Sequence, residues 1–125
     1  MNELQKTHGA SSWIAHQGQD PAAARKFYEQ VLDWQVADLP MKDGSAYPGI
    51  MVGEAPIGGF NPQPKDDGRW IVYITVDDVD KRHAAALQAG ATSVTDPFNA
   101  PGVGRIATIK DPFGAHLAFI TYASA

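Results

Sequence analysis

Apolar and polar residues follow two periods along this chain, one typical of strands and one typical of helices. Alternation and short apolar runs predict β-strands at residues 11–17, 34–37, 47–52, 57–60, 70–76, 92–95, 105–109 and 116–122. Helical spacing predicts one helix after Asp20-Pro21 and a second after the acidic run 77–80. Their apolar stripes are Ala24, Phe27, Tyr28, Val31 and Leu32 in the first, and Val79, His83, Ala86 and Leu87 in the second. Residues 1–8 are polar and without a period, which predicts a loose tail.

The order strand, helix, three strands occurs twice, which indicates an internal repeat. The register that places Trp13 on Trp70 also places Asp20 on Asp77, whereas the register that places Ala24 on Val79 aligns the helix stripes better. We predict a single domain over 1–125 with one module at about 9–61, a Pro- and Gly-containing linker at 62–69, and a second module at about 70–122. One helix covers only one face of each sheet, so the other faces need a partner. The prediction is an α+β fold of two βαβββ modules whose curved mixed sheets form a cavity.

Composition narrows the possible functions. The chain has 125 residues, of which 44% are hydrophobic, and its net charge is −4. This charge gives no basic surface for nucleic acid, and no apolar run is long enough to cross a membrane. The absence of cysteine excludes disulfides, thiolate catalysis and cysteine-bound metals. The first residues contain no apolar leader, so we expect a cytoplasmic location.

Several short motifs stand in a recognisable order. They are the stretches 20–28 (DPAAARKFY), 31–34 (VLDW), 70–78 (WIVYITVDD), 101–105 (PGVGR) and 111–115 (DPFGA). Together they resemble the vicinal oxygen chelate superfamily, which includes glyoxalase I, bleomycin resistance proteins and extradiol dioxygenases. The resemblance covers residues 11–122. Within the superfamily, the chain is most similar in type to small bacterial glyoxalase-like proteins. It implies the two-module fold and a homodimer, and it specifies the fold better than the chemistry.

The same resemblance implies a divalent metal held by His and Glu side chains from four strands. Carried onto this chain, the four positions fall at Trp13, Ile71, Ala118 and the pair Phe60 and Asn61. Apolar side chains and one neutral amide do not satisfy a transition metal. We therefore expect no metal and no cofactor, although a site displaced to other residues remains an alternative.

Strand alternation selects candidate residues for the lining of the predicted cavity. The candidate ligand-binding residues are Trp13, Gln17, Phe60, Ile71, Tyr73, Arg105, His116 and Ala118. His116 is also a candidate general base, and a strand histidine satisfied by backbone or water is its structural alternative. Arg105 is either a carboxylate-binding residue or a partner in a structural ion pair. Core packing is the alternative for the aromatic residues.

These residues predict a metal-independent protein that binds a hydrophobic or aromatic small molecule. Two alternatives stay open. One is a glyoxalase-like lyase, isomerase or dioxygenase with a displaced metal site, and the other is a structural or regulatory dimer. The expected partners are a small-molecule ligand and a second copy of the chain.

Overall fold

The computed structural model describes residues 2–124, and it is an α+β structure with two compact units. The first unit is Trp13–Ile71, and the second comprises the residues up to Ser12 and those from Val72 onward. A 3-10 turn (Leu4–Lys6) precedes the helices α1 (Pro21–Leu32) and α2 (Val79–Gln88). The strands are β1 (Ser11–Gln17), β2 (Gln35–Pro40), β3 (Ala46–Val52), β4 (Ala55–Phe60), β5 (Arg69–Thr75), β6 (Thr92–Ala100), β7 (Gly104–Lys110) and β8 (His116–Tyr122).

The first unit is a mixed sheet with one helix. Its strand order is β2-β3-β4-β1, with β1 parallel to β4 and the other pairs antiparallel. Asp20 begins α1 by accepting a hydrogen bond from the backbone N–H of Ala23, which satisfies one free donor of the first turn. Arg25 then ties the helix to β2, because its guanidinium donates to Asp38 (2.8 Å) and to the Val36 carbonyl (2.9 Å).

The apolar stripe predicted for α1 is wider than the surface that the sheet covers. Tyr28 packs inward against the rings of the sheet, but Phe27, Val31 and Leu32 are each more than half exposed. Spacing alone therefore identified the helix correctly and overestimated how much of it is buried.

The second unit repeats this arrangement. Its strand order is β5-β8-β7-β6, with β5 parallel to β8 and antiparallel pairing elsewhere. Asp78 begins α2 by accepting from the Lys81 backbone N–H, and Val76, Val79 and Ala107 form the core beneath the helix. The separation between the starts of β1 and β5 is the same as that between α1 and α2, and between β3 and β7. At these three pairs the separation is one residue longer than the register that matches Trp13 with Trp70, which β2 and β6 keep, whereas β4 and β8 start further apart.

The loose tail predicted at residues 1–8 is wrong over the part that the structure describes. Leu4–Lys6 forms a 3-10 turn, and the Leu4 carbonyl accepts a hydrogen bond from Thr75 Oγ1 (2.9 Å). The backbone of Thr75 also bonds Gly9 and Ala10. These contacts join residues that are far apart in the sequence, so no local sequence pattern predicts them.

Strand β6 extends further than the predicted 92–95. It continues to Ala100 through Pro97, and its pairing with β7 shifts register twice between Ser93 and Phe98. As an outer strand with irregular pairing, β6 accommodates a proline that an inner strand would exclude. Neither α1 nor α2 is long and apolar enough to span a membrane, and no other helix of that kind occurs in residues 2–124.

Candidate functional site

In the first unit, the sheet face opposite α1 carries two of the predicted ligand-binding residues. Trp13 and Gln17 lie on this face by strand alternation, and both are half-buried. The Trp13 ring contacts the ring of Tyr47 from β3, with 6.3 Å between the centroids and 38° between the planes. We call these two rings and the backbone beside them the aromatic face.

Two glycines lie side by side on the aromatic face. Gly49 on β3 pairs with Gly59 on β4, so the side-chain layer has a gap at both positions. The Tyr47 ring occupies the gap at Gly59, where an added Cβ would lie only 2.7 Å from Tyr47 Cζ. Leu39 from β2 occupies the gap at Gly49 in the same way, with its Cγ 3.0 Å from an added Cβ. Glycines inside a strand often mark a close approach to the backbone, and this was the one signal in the sequence that pointed to the feature.

Phe60 lies on the other face of the same sheet. It is fully buried, and its ring contacts His16, Tyr28 and Trp70 at centroid distances between 5.6 Å and 6.1 Å. Since Tyr28 belongs to α1, this cluster lies between the helix and the sheet. The grouping of Phe60 with Trp13 on one face is therefore wrong: Phe60 pairs with His16 across β1 and β4 and faces the helix with it. Ile71 is also buried.

His16 is the polar member of this aromatic cluster. Its Nδ1 atom is buried and has no hydrogen-bond partner among the described residues. The rings of Tyr28, Phe60 and Trp70 surround it, and Trp70 Nε1 donates instead to the Tyr28 hydroxyl (3.2 Å). Burial lowers the pKa of His16 from its usual value, because removing the ring from water penalises the charged imidazolium.

In the second unit, three predicted site residues share one face. Tyr73 pairs with Ala118 across β5 and β8, and His116 precedes Ala118 by two positions on the same strand. Ala118 is fully buried, and burial raises the pKa of the Tyr73 hydroxyl. Asp111 lies near His116, and its pKa is lowered mainly by the backbone N–H groups of Ala115 and Phe113 and also by His116. A base role for His116 stays a prediction.

Arg105 is engaged in an ion pair. Its guanidinium donates two parallel hydrogen bonds of 2.8 Å to the carboxylate of Asp80 in the first turn of α2, and a third to Asn99 (3.2 Å). This pairing lowers the pKa of Asp80 and raises that of Arg105. Of the two interpretations open for Arg105, the structure supports the ion pair, and its partner lies in the first turn of α2.

The second unit also contains a groove that the sequence did not indicate. It has a volume of about 450 Å³, and it is lined by Gln5, Lys6, Thr75, Val76, Asp77, Thr121, Tyr122 and Ser124. Beside it, Tyr122 Oη, Ser12 Oγ and Thr75 Oγ1 form a row of hydroxyls with neighbours 2.8 Å apart. Asp77 is bound by both Nε and Nη2 of Arg82, and this guanidinium lowers the pKa of its carboxyl to about 2.

The positions at which the resemblance implies a metal do not offer suitable donors. Trp13, Ile71 and Ala118 carry an indole, an alkyl chain and a methyl group, and the fully buried Phe60 has no ligating atom. Asn61 contributes one amide oxygen, and this oxygen accepts a hydrogen bond from the Gln63 backbone N–H (3.0 Å). Among residues 2–124, no group of three or more His, Asp or Glu side chains is arranged to hold an ion. This donor set does not fit a divalent transition metal.

A family model and two curated bacterial proteins match this chain. Residues 13–120 match the model of a family described as "Glyoxalase-like domain". The Mycobacterium bovis protein named "Putative glyoxylase CFP32" is 36% identical over 97 residues, which cover 76% of this chain and 37% of that protein. The Streptomyces peucetius "Anthracycline biosynthesis protein DnrV" is 27% identical over 126 residues, covering 88% of this chain and 46% of that protein. The chain therefore spans less than half the length of these curated relatives.

Solved structures match over nearly the whole chain at low sequence identity. A variant of the Streptomyces coelicolor methylmalonyl-CoA epimerase in complex with 2-nitronate-propionyl-CoA has a TM-score of 0.63 and 16% identity, covering 94% of this chain and 100% of that one. The hypothetical protein BH1468 from Bacillus halodurans C-125 has a TM-score of 0.64 and 12% identity, covering 95% and 98%. At these identities the likeness concerns the fold alone.

Proposed function

Because this chain belongs to the family of glyoxalase-like domains, we propose that it binds a small hydrophobic or aromatic molecule without the help of a metal. The observation that carries the proposal is the aromatic face of the first unit. At the position where the family resemblance implies a metal ligand, this chain has Trp13, half-buried and in contact with Tyr47. The residue type and its surroundings favour dispersion and stacking over coordination.

The composition of this face supports an apolar ligand. Trp13, Tyr47 and Leu39 present rings and methyl groups, and Gln17 adds one amide at the end of β1. Small-molecule sites are commonly of this kind, with an apolar lining for affinity and a few polar groups for orientation. In this proposal Trp13 supplies contact area and Gln17 supplies a hydrogen bond. Tyr73, His116 and Ala118 of the second unit remain candidate ligand-binding residues.

Calorimetry with a defined aromatic probe tests the proposal. The full chain is dialysed against EDTA and titrated with 2-naphthol, and the titration is repeated after addition of Zn²⁺, Ni²⁺, Mn²⁺ or Fe²⁺. We expect saturable binding whose affinity is the same with and without metal. Trp13→Leu should weaken binding by about tenfold, as expected for an aromatic anchor. Phe113→Leu, at a side chain that is 92% exposed on the β7–β8 turn, is the matched control and should bind normally.

Two outcomes would overturn the proposal. Binding that appears only with a stoichiometric metal would favour the metal-dependent lyase, isomerase or dioxygenase. Unchanged binding by the Trp13→Leu variant would remove the aromatic face from the site.

We also propose that the chain forms a homodimer and functions in the cytoplasm. The dimer is supported by the apolar residues Phe27, Val31 and Leu32 of α1, each more than half exposed. Light scattering coupled to size-exclusion chromatography tests the dimer: a mass of one chain at micromolar concentration would rule it out.

A further inference from the structure

The cross-strand pair Gly49 and Gly59 determines how the aromatic face is built. Most residues of a sheet raise a Cβ above the backbone, so ligands usually meet a layer of upright side chains. Here two adjacent positions have no side chain, and neighbouring side chains extend over them. The Tyr47 ring therefore lies against the backbone at Gly59 instead of standing beside a side chain.

The contacts at Gly59 leave no room for any other residue. An added Cβ would meet the ring of Tyr47 and would lie 2.6 Å from the carbonyl oxygen of Pro48. Atoms at such a distance overlap, so either the ring or the strand would have to move. The position of the Tyr47 ring thus depends on glycine at 59.

The two rings of the aromatic face form a shallow wedge. Tyr47 and Trp13 are inclined by 38° with 6.3 Å between their centroids, which is a contact distance for aromatic rings. A flat ring system can stack on one of these rings while its edge contacts the other. A globular hydrocarbon of the same carbon number touches such a surface over a smaller area.

We propose that Gly59, by seating the ring of Tyr47 against the sheet, makes this site selective for planar ring systems over globular hydrocarbons. This inference rests on the proposed function, because it concerns the ligand of the same face. Gly59 is a specificity-determining residue that acts through Tyr47.

A pair of neutral probes with ten carbons each separates shape from hydrophobicity. The dissociation constants of 2-naphthol, which is planar, and 1-adamantanol, which is globular, are measured by calorimetry on the full chain. Favourable ring–ring geometry adds an affinity of about threefold to tenfold beyond area burial, so wild type should prefer 2-naphthol by about that factor. Tyr47→Leu keeps an apolar side chain without a ring and should bring the ratio of the two constants to about one.

Two glycine variants then test the position itself. Gly59→Ala should reduce the preference because it displaces the ring. Gly68→Ala adds the same methyl group in the exposed segment just before β5, where no other atom lies within 4 Å of the added Cβ. This matched control lies outside the aromatic face and should keep the preference. Gly59→Ala also crowds the Pro48 backbone and could prevent folding, so the folding of each variant is checked by circular dichroism. If Gly59→Ala does not fold, Tyr47→Leu tests the proposal by itself.

The outcomes distinguish this inference from the proposed function. If neither probe binds wild type, the proposed function fails and the shape preference fails with it. If both probes bind through Trp13 with equal affinity, or if Tyr47→Leu keeps the preference for 2-naphthol, only the shape preference is refuted.

Discussion

The row of hydroxyls beside the groove makes different numbers of hydrogen bonds at its two ends. Thr75 Oγ1 carries one hydrogen and lies 2.9 Å from the Leu4 carbonyl and 2.8 Å from Ser12 Oγ. The Thr75 hydroxyl is the donor in both contacts, so its one hydrogen is shared between the Leu4 carbonyl and Ser12 Oγ. Ser12 Oγ and Tyr122 Oη lie 2.8 Å apart, and either hydroxyl can donate in this bond. The row connects Tyr122 through Ser12 and Thr75 to Leu4, and Thr75 takes part in two of its three bonds.

The number of bonds at each end ranks two substitutions. Thr75→Val keeps the shape of the buried side chain but removes two hydrogen bonds, one to the Leu4 carbonyl and one to Ser12 Oγ. At about 1 kcal/mol for each bond, the free energy of unfolding should fall by about 2 kcal/mol. Tyr122→Phe removes the bond at the start of the row, together with a contact to the partly exposed Gln5 amide that water can replace, and should cost about 1 kcal/mol.

Urea denaturation monitored by circular dichroism measures the difference. With a slope of about 2 kcal/mol per molar urea, the midpoint should fall by about 1 M for Thr75→Val and by about half as much for Tyr122→Phe. Thr108→Val on β7 is the control, because the Thr108 hydroxyl has no hydrogen bond to residues 2–124; it should change stability by less than about 0.5 kcal/mol. A larger loss from Tyr122→Phe than from Thr75→Val would refute this ranking.

Three further substitutions test other parts of the structure. Gly104 has a φ of +154°, and an added Cβ would lie 2.8 Å from the Tyr122 backbone, so Gly104→Ala should prevent folding or lower the urea midpoint more than Thr75→Val does; a midpoint equal to wild type would contradict this. Because the pKa of His16 is lowered in the folded chain, the unfolded chain binds more protons than the folded chain just below pH 6.5. The free energy of unfolding should therefore be highest above that pH and fall as the pH drops towards the pKa of the folded chain. His16→Gln should remove this part of the acid sensitivity, with the half-exposed His8→Gln as the comparison; identical pH profiles for wild type and His16→Gln would refute it. Arg105→Lys should leave the affinity for 2-naphthol unchanged, because its partner Asp80 lies on α2; a severalfold loss would return Arg105 to the ligand site.

Much of the architecture was predictable, because local periods reflect which face of an element is buried. The bounds of β1 and β8 were predicted to the residue, the α+β class and the repeat are confirmed, and the resemblance to glyoxalase-like proteins is confirmed by the family match. Both helix starts followed from the residues that begin them, Asp20 and Asp78. Such signals depend on neighbours within a few positions, which a sequence displays directly.

The candidate site was less predictable, since it depends on pairing between distant strands. Alternation placed Trp13 and Gln17 on one face correctly, but it does not relate β1 to β4, and so Phe60 was assigned to the wrong side. The gap at Gly49 and Gly59 arises only from the register of β3 and β4. The partner of Arg105 lies 25 positions away on a helix. None of these contacts can be predicted before the pairing of the distant strands and helices is known.

The assignment of residues 2–12 to the second unit has a consequence for synthesis on the ribosome. The hydrogen bonds of Gly9 and Ala10 with Thr75 join residues that precede Trp13–Ile71 to a residue that is translated only after the whole of that unit. All residues of the first unit are therefore synthesised between the two partners, and that unit can begin to fold before residues 2–12 have a strand to pair with. The segment 2–12 thus leaves the ribosome before the first unit and reaches its native neighbours only after it.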